Sequence, residues 1–274
     1  MQGKLFIVGT PIGNLGDLSF RGKEVLSSVD YIACEDTRHS SLLLKHYEIK
    51  KPLISYHKHN ERESTEKILE LLNDSKHVAL ISDAGMPAIC DPGAYLIKTA
   101  RESGIIVESV PGPTALTSAI SIAGNDFTGF TFLGFLPEKE SSRKKIIDEF
   151  KGSSLPFVFY CAPHDIEKNI NFIYERIGDR EVILVKEISK IFESVVFAKL
   201  SEVKFETVKG EYVAIVLPER KSVEESEIIK ALHNEIKMGY KKSQAIKNVS
   251  DKLNVPKNEV YGLALSVNAN ELEE

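Results

Sequence analysis

The 274-residue chain has no tryptophan, only three cysteines and three methionines, and no stretch near the ~18 consecutive apolar residues that a membrane span requires. Cys34, Cys90 and Cys161 are far apart and lack metal-ligand spacing. They exclude a disulfide framework, and each is expected to be a small buried residue in a reduced, cytoplasmic setting. The start, MQGKLFIVGTPIG, has too short an apolar run for a signal peptide and leads straight into a glycine loop. An excess of positive charge is also missing: 35 Lys and Arg stand against 40 Asp and Glu, a net charge of −5. Contact with nucleic acid would therefore have to come from a local patch.

What is present is a repeated unit. Apolar strands are expected at Lys4–Val8, Tyr31–Cys34, Leu53–Ser55, Val78–Ile81 and Ile105–Val110, each followed by a polar or glycine-rich loop and then a helix. The helices are Ser19–Val29, Arg38–Tyr47, Glu66–Leu72, Ala94–Glu102 and Ala115–Ala123. Short runs without alternation read as strands buried on both faces, hence a mostly parallel sheet covered by helices on both sides. In such sheets ligands bind at the carboxyl ends of the strands.

The stretch after Val78–Ile81 is the most suggestive of these strand ends. Ser82-Asp83-Ala84-Gly85-Met86-Pro87 crowds backbone-permissive residues around one carboxylate. Asp91, by contrast, is expected only to cap the helix that starts at Ala94. Gly9-Thr10-Pro11-Ile12-Gly13-Asn14-Leu15-Gly16-Asp17 follows the first strand but is neither GxGxxG nor a P-loop, so a dinucleotide site is not expected. Its backbone is read as lying against a ligand or a neighbouring domain. Glu35-Asp36-Thr37-Arg38-His39 packs ionisable groups at the second strand end. Asp36 or Thr37 serves equally well as a helix cap or as a functional group, whereas Glu35 and Arg38 are not needed for capping. His57-Lys58-His59 lacks a third ligand nearby and is read as a polar loop, with no metal expected.

Beyond Asn125 the style changes. Strands are expected at Phe130–Leu136, Phe157–Cys161, Glu181–Lys186, Ser194–Lys199 and Tyr212–Leu217, with one helix at Arg143–Phe150. The last strands follow one another without long helices, which predicts a mixed or antiparallel sheet. After Pro218, Val223–Met238, Lys242–Leu253 and Lys257–Asn268 read as three short amphipathic helices. Lys237, Lys241, Lys242, Lys247, Lys252 and Lys257 gather around the middle one, which reads either as a helix-turn-helix-like surface that touches phosphates or, given the acidic residues elsewhere in the tail, as a plain solvated helical cap.

Taken in order, GTPIGNLGD (Gly9–Asp17), Glu35-Asp36-Thr37-Arg38, Tyr56-His57 with His59-Asn60, Ser82-Asp83-Ala84-Gly85, Pro111-Gly112-Pro113 and Gly134-Phe135-Leu136-Pro137 resemble the tetrapyrrole methylase superfamily. GTPIGNLGD and EDTR are similar to its RNA-directed branch, which methylates a cytidine 2′-hydroxyl in the decoding region of 16S ribosomal RNA. The resemblance implies an α/β chain with a two-domain, class III methyltransferase fold plus a small C-terminal helical module. The divisions would be residues 1–124 (parallel sheet), 125–220 (mixed sheet) and 221–274 (helices).

It also implies S-adenosyl-L-methionine in the cleft between the two α/β domains, a homodimer, 16S rRNA within the small ribosomal subunit as partner, and no membrane. The cofactor contacts carry over to Pro11, Asp83, Ala84, Gly85, Met86, Thr114, Ala115, Cys161 and the Glu187–Ser189 stretch. A weak ribose nucleophile calls for a proton acceptor, and Glu35 and Asp36 are the candidates. Lys190 is their rival, as a base if burial lowers its pKa or as a phosphate contact. Arg38, His57, Lys241, Lys242 and Lys247 are the candidate RNA contacts. A small-molecule methylase of the same fold would leave the basic tail unexplained. A non-catalytic ribosome-assembly factor would leave the cleft motifs unexplained.

Overall fold

The fold is taken from a computed structural model, which describes residues 2–124, 127–205, 209–219, 224–253 and 255–266. The expected divisions at Asn125 and Arg220, and the ends of the helices expected to begin at Val223 and to finish at Asn268, lie outside the described residues. The chain forms two compact units, Met1–Glu219 and Arg220–Glu274. No helix among the described residues is long and apolar enough to cross a membrane.

The first unit contains two five-stranded sheets. In the first, β1 (Lys4–Val8), β2 (Tyr31–Cys34), β3 (Leu53–Ser55), β4 (Val78–Leu80) and β5 (Ile106–Val110) run in the order β3-β2-β4-β1-β5. Every pairing is parallel: Leu5 lies opposite Val78 on one side and Val107 on the other. Alternate residues feed two cores. Leu5, Ile7, Ala33, Val78 and Leu80 pack under α3 (Glu61–Asn73) and α4 (Ala94–Glu102). Val8, Ile32, Cys34, Ala79 and Ile81 pack under α1 (Phe20–Ser28) and α2 (Thr37–His46). The central strands β2 and β4, covered on both faces, need no polar face and read as unbroken apolar runs, whereas the edge strands β3 and β5 are partly exposed. Helix α3 starts five residues before the expected Glu66, because Asn60 stands at its N-cap and Glu61 and Glu63 suit the positive end of its dipole.

The second sheet, β6 (Thr131–Phe135), β7 (Phe157–Cys161), β8 (Glu181–Lys186), β9 (Ser194–Lys199) and β10 (Tyr212–Val216), has the order β6-β7-β10-β8-β9. It is mixed: β6 and β7 are parallel, while β10 is antiparallel to both β7 and β8. Helix α5 (Ala115–Ala123) lays Ala119 and Ala123 against Val158, Ile183 and Val185 of this sheet, so its small residues allow the close packing. The other face is covered by α6 (Glu140–Asp148) and α7 (Ile166–Ile177).

The last three strands, β8, β9 and β10, follow one another without an intervening helix among the described residues, as expected, but helix α7 between β7 and β8 was not anticipated. Its buried Ile166, Ile170, Ile173 and Ile177 recur at helical spacing on one face. It makes the crossover that the parallel relation of β7 and β8, on either side of β10, requires. In the second unit α8 (Glu225–Lys237), α9 (Lys242–Leu253) and α10 (Lys257–Ser266) close a small core of Ile228, Leu232, Ile246, Val249 and Val260.

Candidate functional site

Loops from three neighbouring strands of the first sheet meet at their carboxyl ends. Thr10 and Gly85 exchange backbone hydrogen bonds of 2.9 and 3.1 Å, joining the loop after β1 to the loop after β4. The buried Thr10 hydroxyl donates to the Ser82 carbonyl oxygen at 3.0 Å. Gly85 takes φ +81°, a conformation that side chains disfavour. Gly9 meets the loop after β5: a Cβ there would stand 2.7 Å from the Gly112 Cα. The glycine loop was expected to lie against a ligand or a neighbouring domain; Gly9 packs instead on a loop of its own sheet, while Gly13 lies against the Lys190 side chain of the β8–β9 connection.

Facing these loops are the ends of β7, β8 and β10, and between the two lies a cleft of about 620 Å³. That volume suits a small organic ligand. Asp83, Ala84, Gly85, Met86, Thr114, Ala115 and Cys161 line it, as do Glu35 and Lys190. Pro11 is buried beside Thr10 and is not part of the lining. Ser189 turns instead into an adjoining cavity of about 450 Å³, where its hydroxyl hydrogen-bonds the Asp17 carboxylate. Thr114 caps α5 by accepting from the Thr117 N–H at 3.2 Å. The Cys161 thiol belongs to the core of the second sheet and accepts from Asn169 Nδ2 at 3.3 Å, burial pushing its pKa up to about 11.

Three carboxylates share the first-sheet side: Glu35, Asp83 and Asp91. Asp83 Oδ1 is buried with no hydrogen-bond partner among the described residues, which marks it as an acceptor waiting for a donor. The Glu35 pKa is raised, by burial first and then by the negative charges of Asp91 and Asp83, with His57 opposing. The Asp91 pKa is raised too, by burial, although a hydrogen bond from Ser82 works the other way. Asp91 is thus not the cap of α4. Gly93 holds that position at φ +139° without a side-chain bond, and two further residues leave the Asp91 carboxylate in the cleft. Cys90 also lines the cleft and is exposed, contrary to the buried thiol expected.

Asp36 and Arg38 take the local role that the sequence left open. Asp36 caps α2 by accepting from the Arg38 N–H at 2.8 Å, and its carboxylate receives Arg38 Nη2 at 2.9 Å. Those hydrogen bonds hold the Asp36 pKa at about 2, and neither residue lines the cleft. His57 is held by the Asn60 side chain at 2.8 Å, outside the lining but close enough to act on the Glu35 charge. Lys241, Lys242 and Lys247 are exposed on the second unit.

Lys190 Nζ donates to Glu187 Oε1 at 2.8 Å and to Glu211 Oε2 at 3.0 Å. Burial works to lower its pKa, but these two partners outweigh it and the pKa is raised. The lowered value that a base at Lys190 needs is therefore not found. Tyr160 and Glu211 line the cleft without having been singled out in the sequence. The Tyr160 hydroxyl accepts from the Leu116 N–H at 3.1 Å, tying the second sheet to the start of α5.

Comparison with known proteins agrees with this geometry. The profile of the tetrapyrrole (corrin/porphyrin) methylases matches residues 4–204. A ribosomal RNA small subunit methyltransferase I of Halalkalibacterium halodurans is 34% identical over 96% of this chain and 94% of its own. The protein of the same name from Bacillus subtilis is 38% identical over 95% and 93%. That of Thermotoga maritima is 44% identical over 73% of this chain and 90% of its own. Among solved structures, a cobalt precorrin-4 methyltransferase of cobalamin biosynthesis superposes with TM-score 0.59 at 16% identity, over 78% of this chain and 94% of that one. A uroporphyrin-III-C-methyltransferase from Thermus thermophilus does so with TM-score 0.56 at 19% identity, over 79% and 94%. At such identities the structures establish a shared fold.

Proposed function

The chain belongs to the tetrapyrrole methylase family, and we propose that it is a methyltransferase carrying a methyl group from S-adenosyl-L-methionine to a cytidine 2′-hydroxyl in the decoding region of 16S ribosomal RNA. Relatives matched along nearly the whole chain are named for small-subunit ribosomal RNA, which supports the substrate class over a tetrapyrrole. The observation that carries the chemistry is the cleft itself, with an unpartnered Asp83 oxygen on one wall and Glu35 on the same side.

The residues present fit the cofactor. Its ammonium and hydroxyl groups are donors that Asp83 Oδ1 lacks, and the left-handed Gly85 gives close backbone approach. Asp83, Ala84, Gly85 and Met86 would hold it from the first sheet, Thr114 and Ala115 from the start of α5, and Cys161 from the facing strand end. Pro11 is buried and, like Ser189, lies outside the lining of this cleft, so neither is assigned a direct cofactor contact. When bound, the cofactor supplies an electrophilic methyl group on a sulfonium.

The chain's own task is to align and deprotonate a weak nucleophile. Glu35 accepts the hydroxyl proton, because its raised pKa brings it nearer the operating pH than an ordinary carboxylate. Asp36, paired with Arg38, keeps α2 and hence Glu35 in place. Arg38, exposed beside it, and His57 would meet the RNA backbone. Lys241, Lys242 and Lys247 add salt-sensitive phosphate contacts without base readout. A ribosomal substrate supports a cytoplasmic location. Exposed Val196 and Phe197 on the edge strand β9 support a homodimer.

The test is transfer of radiolabelled methyl from S-adenosyl-L-methionine into small subunits isolated from cells lacking this enzyme, followed by mapping of the modified nucleoside. Label at a cytidine ribose is expected. Label confined to small molecules, or none, would overturn the reading.

A further inference from the structure

The connection between β8 and β9, residues 187–193, carries backbone strain beside the cleft. Glu187 and Ser189 take φ +53° and +66°, a region that non-glycine residues occupy only where surrounding contacts impose it. Those contacts are visible. The Ser189 N–H donates to Glu193 Oε2 at 2.6 Å, and its hydroxyl reaches Asp17 in the loop after β1. The Glu211 N–H donates to Glu187 Oε1 at 3.0 Å, and the Glu187 N–H donates to the Glu211 carbonyl oxygen at 2.9 Å.

Across from this connection, Gly13 sits at φ +151°, and a Cβ there would come within 2.8 Å of Lys190 Cε. Gly13 and Asp17, two fixed points of the GTPIGNLGD motif, therefore serve the placement of one lysine. The stem of Lys190 lies across Gly13, and its ammonium ends between two unequal carboxylates. Glu187 is 17% exposed and held by the Glu211 N–H, whereas the Glu211 carboxylate is 77% exposed. An exposed ion pair of the second kind contributes little and is readily exchanged.

We propose that Lys190 contacts a substrate phosphate, that Asp17, Ser189 and Gly13 form the clasp that positions it, and that it gives up Glu211 for a phosphate oxygen when RNA docks. The proposal rests on the RNA reading above. A phosphate offers the same anionic acceptors as the Glu211 carboxylate, and Glu187 stays behind to hold the ammonium. Asp17 and Ser189 are positioning residues, since they act through Lys190.

The experiment is binding of the full chain, saturated with S-adenosyl-L-methionine, to unmethylated small subunits across a potassium chloride series. Removing one phosphate contact in Lys190→Met should flatten the slope of log affinity against log salt by roughly 0.7–0.9 and raise KM for the subunit. Cofactor affinity should not change. Glu211→Gln should tighten binding at unchanged slope. Asp17→Ala should weaken it, and Asp17→Asn, which still accepts from Ser189, should restore it. A Lys190→Met chain with wild-type slope and KM, or Glu211→Gln binding more weakly than wild type, would overturn the proposal. If the wild-type chain transfers no methyl to the subunit, the substrate reading falls and this contact with it.

Discussion

The two walls of the cleft use the same side-chain chemistry to opposite ends. On the first-sheet wall Glu35 and Asp91 are half-buried beside Asp83, and burial with mutual repulsion raises both pKa values. On the second-sheet wall Glu187 has Lys190 at 2.8 Å, and that hydrogen bond pulls its pKa down despite burial. A carboxylate that resists its own charge is suited to taking a proton. One that welcomes its charge is suited to holding a cation in place. Environment, not residue type, divides the labour.

The comparison breaks most visibly in rate. Glu35→Gln should lower the single-turnover rate by about 10²–10⁴-fold while leaving cofactor affinity intact. The wild-type rate should climb with pH through a value above the ordinary 4.5, where Glu35 loses its proton, and this limb should vanish in the variant. A wild-type pH profile in Glu35→Gln would remove Glu35 as the base and leave Asp91 next in line.

A sharper contrast is stability, where the two glutamates should move in opposite directions. A raised folded-state pKa stabilises the fold while pH is below the ordinary value, and that benefit is lost as pH rises through the folded value. At neutral pH Glu35 therefore works against folding, and Glu35→Gln should raise the melting temperature. For Glu187 the depressed pKa gives stability that is present above the ordinary value and lost as pH falls through the folded one. Glu187→Gln should lower the neutral-pH melting temperature. Calorimetric scans should resolve shifts of about 2 °C either way. Two shifts of the same sign would mean that the walls do not differ as described.

The smallest effect is expected one residue from Glu35. Asparagine caps a helix as well as aspartate does, and Arg38 is 90% exposed, so Asp36→Asn should leave rate and melting temperature near wild type. A tenfold or greater loss of rate with cofactor binding intact would shift the base to Asp36.

The first sheet was legible in the sequence because its central strands β1, β2 and β4 are largely buried and β1, β4 and β5 end in loops rich in glycine and proline. The Ser82–Pro87 loop was found on that ground alone. Helix α7 was not: its one-sided isoleucines are strand-favouring residues, and only their spacing marks a helix. Asp91 was misread because Asp-Pro-Gly before an apolar run is what a helix start looks like, while the cap is Gly93. Tyr160 and Glu211 carry no local pattern, since they join the site through the pairing of β7 and β8 with β10. Lys190 was recognised, but its protonation is set by Glu187, three residues earlier, together with Glu211, a neighbour brought in by the fold.

The strand order has a consequence for synthesis. β1 is made first, yet both of its partners, β4 and β5, come from Val78 onward. At about 5–20 residues per second, several seconds pass on the translating ribosome with both edges of that apolar strand open. β2 and β3 can pair with each other early, but the centre of the sheet cannot close until β4 emerges to fill the place between β2 and β1. For that interval the nascent N-terminus offers an unpaired strand, and its protection falls to whatever meets the chain at the exit of the ribosome.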